Sequence, residues 1–157
     1  MSRTLALRSA FAFVTGAASV LVFHQGVLEL LYLAGVIPFV PYSMKPTAPL
    51  GVPAVVSAAF WGGVWGIIMI AALGRRLAGA RYWTAALVFG AVLPTLVALV
   101  VVLPLKGQPM GGGWDPAHIG IGLLVNGAWG LGTALMLQGL VRLLPVAGAR
   151  VGSGDPS

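Results

Sequence analysis

The chain has 157 residues, 59% of them hydrophobic and only 8% charged, with a mean hydropathy of +0.99. A soluble domain carries about a quarter charged residues, so a water-soluble globule is excluded and lipid is the fitting solvent. With no cysteine, disulfides, thiolate metal sites and thiol nucleophiles are excluded together. The net charge of +6 comes from basic residues at the ends of apolar segments, which suits anionic headgroups rather than nucleic acid.

The first predicted helix covers 7–37 and stops at Pro38, whose ring disfavours helix in the residue before it. Arg3, Arg8 and the small patch Gly16-Ala17-Ala18-Ser19 imitate a signal peptide. However, the apolar run continues through Val20, Leu21, Val22 and Phe23, so an uncleaved helix is expected. A Pro-rich loop leads to a second helix over 53–73, closed by Gly74-Arg75-Arg76. The third covers 82–103 with Pro94 as an expected kink. A glycine-rich loop follows, and Asp115-Pro116 caps a fourth helix over 116–144. The small polar residues of 148–157 predict a disordered tail.

Each segment reaches the roughly 20 apolar residues that cross a hydrocarbon core of about 30 Å. The prediction is an all-α membrane protein, a four-helix transmembrane bundle. Arg3, Arg8, Arg75, Arg76, Arg81, Arg142 and Arg150 share one side, against Lys45 and Lys106 on the other. The positive-inside rule then places both termini in the cytoplasm of a bacterial inner membrane. Gly63-Val64-Trp65-Gly66 in the second helix echoes Gly127-Ala128-Trp129-Gly130 in the fourth. Both units run in one direction, so the echo is either a parallel two-helix duplication or chance agreement of glycine-rich text.

In layout the chain resembles small four-helix bacterial inner-membrane proteins. The resemblance rests on the Pro-rich outer loop, the Pro104-Leu-Lys-Gly107 turn, and a histidine-bearing last helix with a Trp-Gly step. It implies the same fold and supplies no catalytic residues.

Membrane helices associate through close backbone approach and polar contacts. Ala54, Ala58, Gly62 and Gly66 form one small-residue stripe, and His118, Gly122, Asn126, Gly130 and Ala134 a second. Gly16, Ser19 and Gly26 lie roughly on one side of the first helix. Gly62, Gly66, Gly122 and Gly130 are the expected packing sites, facing either bundle neighbours or a second subunit. Trp65 and Trp129 fall about 18 and 21 Å into the membrane, away from the interfaces that tryptophan prefers. With Trp61 they are either core aromatics facing glycine or the wall of a ligand cavity.

Ionisable and polar residues within spans are functional candidates, because burying them is costly. Gln25, Glu29 and Tyr32 share one helical face and predict a hydrogen-bonded seam, with Asn126 as the polar candidate of the fourth helix. Counting inward from each helix end places His24 and His118 at similar depth near the outer face. They form the candidate cofactor-binding pair, since two histidines from separate helices suit haem, and imidazole with carboxylate suits zinc or copper. With two histidines in all and no ligand-pair spacing, neither a cofactor nor a metal is predicted. No nucleophile elbow, Ser-x-x-Lys or zinc-protease motif is present, so no catalytic residue is assigned. The leading expectation is a non-enzymatic scaffold or accessory subunit, with membrane lipid, a second copy or a larger membrane complex as partner. A small pore or carrier and a haem- or metal-bearing redox protein are the alternatives.

Overall fold

A computed structural model describes residues 3–73 and 79–143. Among them, four helices are long and apolar enough to cross a membrane: Leu5–Leu33, Ala54–Leu73, Gly79–Leu105 and Pro116–Leu140. The protein is a helical membrane bundle, and its only strands among these residues are the two-residue pair Pro46–Thr47 and Val52–Pro53. Arg75, Arg76, Arg150 and the expected tail at 148–157 lie outside the described residues.

The first span consists of α1 (Arg3–Ser19), a π-helical turn (Val20–His24) and α2 (Gln25–Leu33). It ends at Leu33 rather than near Pro38. The terminator is Gly35, which takes the left-handed conformation at φ +70°. The Val36 N–H then bonds Leu31 O at 2.9 Å, and the Gly35 N–H bonds Tyr32 O at 2.9 Å. That pair of bonds satisfies two carbonyls that a helix end would leave open.

The second span is α3 (Ala54–Leu73). Its first N–H groups are met by the loop: Ala54 N–H bonds Lys45 O at 2.9 Å and Val55 N–H bonds Ser43 O at 3.0 Å. The third span begins at Gly79, three residues before its expected start. It runs as α4 (Gly79–Val97), a π turn (Ala98–Val102) and α5 (Leu103–Leu105). The helix continues through Pro94, and the departure from α geometry comes one turn later. There the Leu103 N–H bonds Ala98 O, while Pro104 has no N–H for Val100 O. Gly107, at φ +71°, ends this span in the manner of Gly35, with Gln108 N–H on Leu103 O at 3.0 Å. The fourth span, α6 (Pro116–Leu143), opens with the Ala117 N–H bonded to Asp115 Oδ1 at 3.1 Å. This is the cap that Asp-Pro predicts.

Packing follows the chain order. α1 lies most extensively on α3, and α4 on α6, giving two antiparallel hairpins. Contact of α1 with α6, and a smaller one of α3 with α4, joins them into one bundle. Val20, Met69, Ala86, Phe89, Trp129 and Ala134 form the buried core. Large apolar side chains such as Val14, Phe60, Leu87 and Leu124 cover the outside, which suits acyl chains.

Candidate functional site

Glycine sets the distance between helices. In the first hairpin a Cβ on Gly66 would meet the Ala12 carbonyl, and a Cβ on Gly16 the Gly62 carbonyl. In the second, a Cβ on Gly130 would lie 2.5 Å from Ala86 O, and one on Gly90 2.7 Å from Asn126 O. Real Cβ atoms do not approach so closely, so any side chain here must separate the backbones. Gly122 is looser, with Thr95 Cγ2 at 3.0 Å from its Cβ position. Gly26 has no neighbour within 4 Å, so it does not share the packing of Gly16 and Ser19.

Trp65 and Trp129 bridge the hairpins. Trp129 is 2% exposed and donates its indole N–H to Gly16 O at 2.9 Å. The Ser19 hydroxyl donates to Trp129 O at 2.8 Å. Trp65 meets Phe89 edge to face, with ring centroids 6.1 Å apart. Trp129 is a core aromatic beside Gly62, and Trp65 is a partly buried one packed against the core. Buried Thr15 and Thr133 donate to carbonyls of their own helices, Phe11 O at 2.8 Å and Trp129 O at 2.9 Å. Asn126 donates its amide N–H to Thr95 Oγ1 at 2.9 Å, joining α6 to α4. Unpaired polar groups are costly where water is absent, and these bonds remove that cost at the bundle centre.

The first-span candidates have separate surroundings. Gln25 is 7% exposed, and its Oε1 accepts the Tyr42 N–H at 2.7 Å. The seam expected along the helix instead runs outward to the Pro-rich loop. Tyr42 also donates its hydroxyl to Leu21 O at 2.9 Å. Glu29 is half-buried and Tyr32 is exposed. His24 is half-buried, and its Nδ1 is sealed from solvent without a hydrogen-bond partner. On α6, His118 Nδ1 lies 3.5 Å from Asp115 Oδ2, and its side chain is 66% exposed.

The two histidines therefore have different environments. The Ser19–Trp129 bond fixes the register of the first and fourth spans. From it, His118 lies roughly 9 Å farther along the bundle than His24, at 1.5 Å per residue. Among the described residues no three of His, Cys, Asp and Glu gather as a metal site. Tyr42 belongs with the first-span candidates although no sequence motif singles it out. Its left-handed backbone, φ +52°, and its two bonds to the first span leave no periodic trace in the sequence.

The chain matches no protein-family model, no curated protein and no solved structure.

Proposed function

We propose that the protein is a non-enzymatic scaffold or accessory subunit of a bacterial inner-membrane complex, with both termini in the cytoplasm. The observation that carries this reading is the closed bundle centre. Trp129 bonded to Gly16 and Ser19 bonded to Trp129 join the two hairpins, and backbone contact at Gly66 and Gly130 closes each hairpin on itself. Such a centre holds helices in fixed relation, and its Ser19, Thr133 and Asn126 side chains are engaged with carbonyls of the bundle or with Thr95. The arginine distribution supports the orientation.

A parallel duplication accounts for the matched contacts. Ala12 and Gly16 meet Gly62 and Gly66 as Ala86 and Gly90 meet Asn126 and Gly130, at a constant sequence offset in each helix of the pair. Each leading helix also carries a π turn and ends on a left-handed glycine. The partner surface favoured by this reading is the Phe60–Trp61 edge of α3. Trp61 is 57% exposed, and its ring meets Phe60, which meets Phe13 in turn.

The test is in-membrane crosslinking followed by purification in mild detergent and mass spectrometry, on the wild type and on Trp61→Leu. A stoichiometric membrane partner, lost in Trp61→Leu with stability intact, is the expected result. Recovery of the chain alone, with an ion or solute leak after reconstitution in liposomes, would favour the pore or carrier. A bound haem or metal would favour the redox protein.

A further inference from the structure

We infer that the loop between the first two spans is a latch, in which Tyr42 holds the π turn Val20–His24 and its withdrawal lets the first span become a continuous α-helix. In the π turn the Gln25 N–H bonds Val20 O. In an α-helix the same N–H would bond Leu21 O. Leu21 O is thus set free by the π turn, and the Tyr42 hydroxyl occupies it at 2.9 Å. The Tyr42 N–H simultaneously holds Gln25 Oε1 at 2.7 Å. One loop residue therefore grips the carbonyl that the π turn releases and the side chain immediately after the turn.

Both arrangements can satisfy the backbone. In the π form Tyr42 serves Leu21 O, and in the α form Gln25 N–H serves it. The choice falls to the loop, because a carbonyl left open within a membrane span is strongly disfavoured. Two features load the latched state. Tyr42 sits at φ +52°, a region that non-glycine residues occupy under constraint. His24, the last residue of the turn, keeps its Nδ1 buried and unpartnered, which is unfavourable without water. The latched state thus combines specific bonds with specific penalties, as expected of an element with two accessible arrangements.

The conversion has a defined consequence. A π turn accommodates one extra residue, and absorbing it would rotate Gln25–Leu33 by about 100° and shift it by about 1.5 Å relative to α1. Gln25, Glu29 and Tyr32 would move together relative to α6 and the loop. An event on the outer loop would in this way be transmitted into the membrane. π turns are frequent at functional positions in helices, and this one has a loop residue dedicated to it.

The test is NMR on the full chain in detergent micelles or nanodiscs, reading the acceptor of the Gln25 N–H by coupling across the hydrogen bond. In the wild type the coupling is expected to Val20 carbonyl. Tyr42→Phe keeps the ring and the backbone N–H but removes the donor to Leu21 O. Losing one such bond should shift the ratio of the two forms toward the α form by about fivefold, so that a coupling to Leu21 carbonyl appears. Amide exchange within α3 should stay unchanged. Tyr42→Leu lacks the same hydroxyl and serves if the first variant does not fold. A Gln25 coupling that stays on Val20 alone in the folded variant would overturn the proposal. So would a loss of protection spread evenly over the first span.

Discussion

Trp129 and the glycines around it carry the tightest constraints on single residues. Gly66→Leu and Gly130→Leu place side chains against the Ala12 and Ala86 carbonyls, and each should destabilise the bundle by about 1–3 kcal/mol or more. Gly26→Leu and Gly120→Leu, where nothing lies within 4 Å, should be no less stable than wild type and gain up to about 1 kcal/mol from helix propensity. Reversible unfolding in mixed detergent checks all four, and equal loss across them would mean that the glycine contacts are not the spacing elements. Trp129→Phe keeps an aromatic ring but removes the donor to Gly16 O. Its expected loss is about 1 kcal/mol, in the range of hydrogen bonds measured within membranes. Spacing in the sequence was enough to pick out Gly62, Gly66 and Gly130. It could not show that Gly26, on roughly the same side of its helix as Gly16, meets no neighbour, because that depends on where the π turn shifts the helix face.

At the level of elements, hydropathy located every span, and the ends were set by features that hydropathy does not register. Pro38 was the visible stop for the first helix, yet Gly35 ends it earlier by supplying the left-handed residue. Gly35→Ala touches nothing within 4 Å, so it isolates this conformational requirement. It should destabilise by about 1–2 kcal/mol, the penalty for an L-residue in the left-handed region. Gly26→Ala, in a helical segment, should instead stabilise by about 0.5–1 kcal/mol. Thermal denaturation of the pair decides between the two signs. The π turns were illegible for a related reason. Val20–His24 and Ala98–Val102 are apolar apart from His24, and one extra residue in a turn leaves the hydrophobic content unchanged. Depth counted from each end also assumed regular helices beginning in one plane. That is why His24 and His118 seemed level while the Ser19–Trp129 bond staggers them.

On the scale of the whole molecule, the bundle was legible because four separated apolar segments in so short a chain leave few alternatives. The joining of its hairpins was not, since the pairing of Trp129 with Gly16 crosses 113 positions. Reporter fusions at Ser43, Gly79, Gly111 and Ser157 should read outside, inside, outside and inside, and an external signal at Gly79 would reverse the proposed orientation. The absence of native cysteine permits the most direct test of a bundle that organises partners rather than conducts. Thr133→Cys and Ala134→Cys, at fully buried positions, are probed in intact and inverted membranes with a membrane-impermeant maleimide, alongside Gly111→Cys as the loop reference. The account predicts reaction at Gly111→Cys from one side and none at either buried thiol from either side. Rapid labelling of Thr133→Cys or Ala134→Cys in a folded variant would reveal a water-filled path and contradict it.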